Sequence, residues 1–294
     1  MSRYLVFGFC FMLSCVCMAQ EIIKVACVGN SITYGTGVSE REKNAYPIKL
    51  QQMLGEKYEV GNFGKPGATL LKNGHRPYVN QQEYKDALAF AGDIVVIHLG
   101  INDTDPRNWP NYRDEFIGDY RALMQSFREV NPKTRFLIAR MTPLSDRHFR
   151  FESGTRDWHE EIQLAIECIA KVEGVQLIDF HEPLYPYPYM LEDAVHPNAE
   201  GAAILAKTVY EGITGDFGGL KLSGMFSDNM VLQHGEVLTI QGKADAGQKI
   251  TVTIAGQKKK TVAASNGKWK VFLDPLNAGG PYTLTVSADK QKYI

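Results

Sequence analysis

Five residues, each in a turn where one element ends or the next begins, could together do chemistry. Ser31 stands in Lys24-Val-Ala-Cys-Val-Gly-Asn-Ser-Ile-Thr33, directly after Gly29-Asn30. Taken alone, it is either a helix N-cap, a position serine favours, or a nucleophile. Three other stretches also end one element and open a turn: Asn62-Phe-Gly-Lys-Pro-Gly67-Ala-Thr69, His98-Leu-Gly100-Ile-Asn102-Asp103 and Asp193-Ala-Val-His196-Pro-Asn198. An acyl-transfer site needs a nucleophile, a base, an orienter for the base and donors for the tetrahedral oxyanion. His196 suits the base, and Asp193, three residues earlier on the same turn, suits the orienter. The donors would be the backbone N–H of Ser31, the backbone N–H of Gly67 and the side-chain amide of Asn102. Glycine at 67 permits close approach of backbone or a positive φ. Each piece has a plainer reading as a cap, a turn glycine or a loop histidine. Four separate turns carrying one complete set argue against coincidence.

For these turns to meet, the elements before them must end at one edge. From Ile22 to about Thr214, short apolar runs alternate with helical patterns. The runs are Ile22–Val28, Tyr58–Asn62, Asp93–Leu99, Thr134–Ala139 and Val175–Ile178. Tyr112, Phe116, Ile117, Tyr120, Leu123, Met124 and Phe127 recur at spacings of three and four, which predicts an amphipathic helix. Ile162, Ile166 and Ile169 repeat that signal, and Asn198–Ile213 has helical composition. Strand and helix in alternation imply an α/β fold with a doubly wound parallel sheet covered on both faces. Its site belongs beyond the carboxyl ends of the strands, where Ser31 falls. After Gly215–Gly219 the period becomes two. Val237–Ile240, Ile250–Ile254, Trp269–Leu273 and Tyr282–Val286 read as strands, with turns at Ala255-Gly256, Asn266-Gly267 and Gly279-Gly280-Pro281. Asn266-Gly267 is a hairpin signal, and the whole predicts a small antiparallel, sandwich-like β module. The expected divisions are a leader at 1–19, an α/β domain at 20–214, a linker at 215–219 and the module at 220–294.

The chain of 294 residues is 44% hydrophobic and 22% charged, with formal net charge -1. Its one basic block, Lys258-Lys259-Lys260, reads as a solvated strand end or turn, so nucleic-acid binding has no electrostatic footprint. Arg3, the apolar run Tyr4–Val16 and the small residues of Cys17-Met18-Ala19 read as a secretory signal peptide cleaved after Ala19. The expected location is therefore periplasmic or extracellular, and no later segment is long and apolar enough to span a bilayer. Cys10, Cys15 and Cys17 leave with the leader. Cys27 and Cys168 remain, too few for a disulfide framework or a metal site.

The order Gly29-Asn-Ser31-Ile-Thr, Gly67, Gly100-Ile-Asn102-Asp and Asp193-Ala-Val-His196 resembles the four blocks of the SGNH (GDSL-type) hydrolases over about residues 22–213. The resemblance implies Ser31 as nucleophile, Gly67 and Asn102 as oxyanion donors, and Asp193 and His196 as the acid–base pair, with no cofactor and no metal. One departure is Asn30, where the family often has Asp; it is neither nucleophile, base nor donor. The Gly-x-Ser-x-Gly elbow of α/β-hydrolases is absent. Leu222-Ser-Gly-Met-Phe-Ser-Asp-Asn-Met-Val-Leu-Gln233 and Ala278-Gly-Gly-Pro-Tyr-Thr-Leu284 resemble the β domain that opens sialate O-acetylesterases. There a further catalytic region follows, so the module is expected to be incomplete and to dock on such a domain. The implied function is removal of O-acetyl groups from carbohydrate, O-acetylated sialic acid first. The alternatives are acetyl esters of xylan or pectin, short-chain lipid or thioester substrates, and a carbohydrate-binding protein with a vestigial site. A sialate carboxylate could be clamped by Arg76, Arg107, Arg147 or Arg150. Trp109, Trp158 and Tyr185–Tyr189 could stack on a sugar or simply pack, and His98 reads as a satisfied core histidine.

Overall fold

The computed structural model describes residues 21–294; the expected leader lies outside the described residues. Five strands, β1 (Ile23–Gly29), β2 (Tyr58–Gly64), β3 (Ile94–His98), β4 (Arg135–Arg140) and β5 (Gln176–Asp179), form one sheet in the order β2-β1-β3-β4-β5. Every pairing in it is parallel. All five residues of β3 are buried. A strand covered on both faces needs apolar residues at every position, which is why these runs lack alternation. Helices Tyr46–Leu54 and Ala199–Thr214 pack together as one layer, and helix Phe116–Val130 packs against Gln82–Phe90 and Thr155–Glu173 as another. Helix Phe116–Val130 buries Phe116, Tyr120, Leu123, Met124 and Phe127, the predicted stripe. It starts at Phe116 rather than near Tyr112, because Trp109–Tyr112 and Arg113–Glu115 are separate short turns. Chain direction reverses in strand order between β1 and β3. The loops that follow these two strands therefore diverge and leave a crevice at their carboxyl ends.

The C-terminal part has its own core. β6 (Lys221–Leu222), β7 (Leu238–Lys243), β8 (Lys249–Ile254), β9 (Gln257–Val262), β10 (Lys268–Leu273), β11 (Thr285–Ala288) and β12 (Gln291–Tyr293) make two antiparallel sheets, β10-β7-β6 and β12-β11-β8-β9. Both turn apolar residues, among them Ile240, Val252, Trp269 and Val286, into one cluster that is separate from the α/β core. Three expectations need correction here. Lys258–Lys260 is neither turn nor strand end but lies within β9, an edge strand; lysine on an edge discourages pairing with another chain. Asn266-Gly267 does turn the chain, but β9 and β10 on either side belong to different sheets. Two-residue hairpins fall instead at Asp289-Lys290, between β11 and β12, and at Ala255-Gly256, between the paired β8 and β9, the latter with φ of 47° and 77° as a twist-matched turn requires. The last predicted strand begins at Thr285 rather than Tyr282, and it runs to Ala288.

Cys27 is buried and Cys168 exposed, both as free thiols. His98, at the end of β3, is fully buried against the ring of Phe180. It is not satisfied as expected: neither ring nitrogen has a hydrogen-bond partner among the described residues. Burial, with a smaller contribution from nearby His159, pushes its pKa down to about 3. The unfolded chain would take up this proton near pH 6.5, whereas folded His98 resists it, so His98 costs stability as pH falls through that window. The slope is about 1.4 kcal/mol per pH unit for one proton. Urea unfolding of His98→Leu between pH 6.5 and 4.5 should show acid sensitivity reduced by this amount relative to wild type. Equal slopes would mean that His98 is already charged in the fold.

Candidate active site

The turn after β1 places Ser31 at the start of a single helical turn, Ser31–Tyr34. Asn30, not Ser31, is the N-cap: its Oδ1 accepts the Ile32 N–H at 2.9 Å. That removes the plain reading of the serine and leaves its hydroxyl free. β2 ends at Gly64, where a Cβ would lie 2.1 Å from the Tyr34 nitrogen. Only glycine allows the second loop to press this closely on the turn carrying Ser31. Lys65 N–H donates to the Gly29 carbonyl at 2.9 Å and ties the two loops together.

His196 arrives from the other end of the chain. The Ser31 hydroxyl lies 2.7 Å from its Nε2, and Asp193 Oδ2 lies 2.5 Å from its Nδ1. Asp193 Oδ1 accepts the backbone N–H groups of His196 at 2.7 Å and Val195 at 3.1 Å. Between them, Ala194 sits at φ 73°, a strained value for a residue with a Cβ. Burial works against ionising Asp193. The backbone and ring N–H groups of His196 outweigh it and hold the carboxyl below its ordinary range. Asp193 can therefore stay anionic and stabilise an imidazolium. Asn198 caps the helix that follows by accepting the Glu200 and Gly201 N–H groups, which steadies the histidine loop.

Gly67 and Asn102 line the same cleft as His196. Gly67 has φ 76°. Neither its N–H nor that of Ser31 finds an acceptor among the described residues. Asn102 Nδ2 donates one hydrogen to the Ala68 carbonyl at 2.9 Å, which aims the amide and leaves its other hydrogen available. Asp103, quoted in the sequence only as a loop cap, proves to be a clamp. It is fully buried and accepts the Leu70 and Leu71 N–H groups at 2.9 Å each. Burial pushes its carboxyl up to about 7, while the Leu71 and Leu70 bonds pull the other way. Buried Asn108 adds a second tie, accepting the His75 N–H and donating to the Asn102 carbonyl. Sequence reasoning missed Asn108 because a polar loop residue gives no periodic signal.

Ser31, Gly67, Asn102, Asp193 and His196 share one cleft of about 550 Å³. Arg107, Arg147 and Arg150 line it, and Arg76 does not. Arg76 instead donates to the Pro66 carbonyl and packs behind Gly67. Arg147 is committed to the Ser145 hydroxyl and the Leu191 carbonyl. Trp109 is buried and hydrogen-bonded to Glu161, so it packs rather than stacking on a ligand. Trp158 and Tyr185–Tyr189 also lie away from the cleft lining. Phe149, in the run Arg147-His148-Phe149-Arg150 that the sequence allows either to bind a sugar or to be solvated, lines the cleft while 84% exposed.

A model of the GDSL-like lipase/acylhydrolase family matches residues 27–204. An acetylxylan esterase of Xylanibacter ruminicola is 35% identical over 210 residues, covering 65% of this chain and 43% of that protein. The chain thus spans less than half the length of that relative. Among solved structures, a putative GDSL-like lipase from Parabacteroides merdae superimposes with TM-score 0.52 at 19% identity, over 67% of this chain and 97% of that one. A putative arylesterase from Agrobacterium tumefaciens does so with TM-score 0.51 at 18% identity, over 65% and 98%. These two likenesses show a common fold.

Asn102 and Asp103 should separate on mutation. Asn102→Ala is expected to stay folded and lose about 10²–10³ in kcat, the cost typical of one oxyanion donor. Asp103→Ala strands two buried N–H groups and should also lose about 2–5 kcal/mol of stability. Denaturant melts beside turnover on p-nitrophenyl acetate make the comparison. A fully stable Asp103→Ala would show that the clamp does not hold the loop.

Proposed function

The chain belongs to the GDSL-like lipase/acylhydrolase family, and from that premise we propose that it is an exported esterase removing O-acetyl groups from carbohydrate through an acetyl-enzyme on Ser31. The observation that carries this reading is the 2.7 Å contact of Ser31 Oγ with His196 Nε2, in one cleft with the unpaired Gly67 N–H and the second hydrogen of the Asn102 amide. His196 takes the Ser31 proton as Oγ attacks the acetyl carbonyl. The oxyanion receives the N–H groups of Ser31 and Gly67 and the Asn102 amide. The tetrahedral intermediate then collapses, and His196 returns the proton to the departing sugar oxygen. Water, deprotonated by the same imidazole, hydrolyses the acetyl-enzyme and releases acetate.

The substrate class rests on the 35% identity with a protein described as an acetylxylan esterase. O-acetylated sialic acid, implied by the resemblance of the β module, belongs in the same panel. All five residues with assigned roles precede Ala199, so the chemistry is placed in the α/β domain and none of it in the module. Ser31→Ala should fold normally and lower turnover by about 10⁶. Acetate release from acetylated xylo-oligosaccharides, acetylated pectin, O-acetyl sialic acid and a long-chain ester tests the class. Retention of a tenth of the activity by Ser31→Ala removes this mechanism, and cleavage of the long-chain ester alone removes the carbohydrate reading.

A further inference from the structure

A single buried carboxylate organises the cleft wall beyond Ser31. Asp105, with its side chain only 6% exposed, holds two guanidinium groups. Arg107 donates to it through Nε at 2.9 Å and Nη2 at 3.0 Å, and Arg150 through Nη1. The Arg107 bonds come first in holding the Asp105 carboxyl far below its ordinary range, so it remains an anion. One negative charge thus answers two positive ones, and the pair carries an uncompensated charge at the cleft. Donors remain as well: Arg107 has committed two of its five N–H groups, and its side chain is 65% exposed to the cleft mouth. Beside them Phe149 presents its ring, 84% exposed, with the Arg150 guanidinium 4.8 Å from the ring centre on the same loop. An isolated phenylalanine this exposed on a catalytic cleft suits the apolar face of a pyranose ring. Two guanidiniums fixed by a buried anion suit a carboxylate, because their orientation is settled before binding.

We infer that Phe149, Arg107 and Arg150 form a subsite for a sugar bearing a carboxylate, so that the preferred acetyl ester sits on or beside an acidic sugar. This rests on the carbohydrate acetylesterase reading. Uronic acids and sialic acids share the chemistry, and the test distinguishes them. Acetate release is measured on acetylated xylo-oligosaccharides with and without a glucuronic acid branch, and on O-acetyl sialic acid. Wild type should favour an acidic substrate in kcat/KM by about fivefold, the scale of one solvent-facing ion pair. Raising ionic strength from roughly 0.01 to 0.5 M should erode that preference. In Arg107→Gln, which leaves Arg150 on Asp105 and whose folding is checked by a denaturant melt, the acidic-to-neutral ratio should approach one. The branched oligosaccharide or the sialic acid, whichever carries the preference, identifies the source. Equal rates on acidic and neutral glycans in wild type, or a ratio unchanged in Arg107→Gln, overturns the inference while acetylesterase activity stands. If no glycan releases acetate while p-nitrophenyl acetate is still cleaved, both readings fall together.

Discussion

The hydrogen bond between Ser31 and His196 joins groups 165 residues apart in sequence, and most of the α/β domain can be understood as the means of holding it at 2.7 Å. Neither partner has local reason to meet the other. Ser31 is presented by the carboxyl end of β1 and His196 by a loop between β5 and the last helix. The parallel sheet brings both ends to one edge, since parallel strands all finish on the same side. The entropy of closing so long a loop is offset by the two buried layers of the core, not by the contact itself.

Around that bond the site is built from backbone groups satisfied by polar side chains, Asn30 and Asp103 buried and Asp193 exposed. Asn30 caps the Ser31 turn, Asp193 gathers two N–H groups and the imidazole, and Asp103 gathers two more from the loop beyond Gly67. Each buried carboxylate or amide is costly unless fully paired, and each pairing removes one freedom from a catalytic loop. The result is a cleft whose donors are aimed before any substrate arrives. His98 is the exception, a buried imidazole with no partner directly before the loop of Gly100 and Asn102.

The second core is a separate cluster of buried residues. Residues 220–288 bury their own apolar cluster between two short sheets, and the α/β core closes without them. The junction is a helix end at Gly215 in left-handed conformation, with Asp245 accepting the Phe217 and Gly219 N–H groups just beyond. Such a joint fixes where the module starts while leaving the catalytic loops free of it.

Much of this was legible in the residues alone. Continuous apolar runs in β1, β3 and β4 announced strands buried on both faces, and the stripe from Phe116 to Phe127 announced a covering helix, because burial imposes period on sequence. Ser31, Gly67, Asn102, Asp193 and His196, chosen as candidates because acyl transfer demands few residue types, do meet in one cleft. Helices Tyr46–Leu54 and Gln82–Phe90 escaped, being short and weakly patterned. What only the tertiary structure decided was partnership. Asp103 and Asn108 are loop residues until their acceptors and donors are seen, and Arg76 and Arg147 are candidate ligands until each is found holding backbone carbonyls. Arg107, Arg150 and Phe149 acquire meaning from Asp105, whose anion is buried by long-range packing. Sequence records what a side chain can bond to, whereas its actual partner depends on which distant elements share its surroundings, and that is a property of the packed chain.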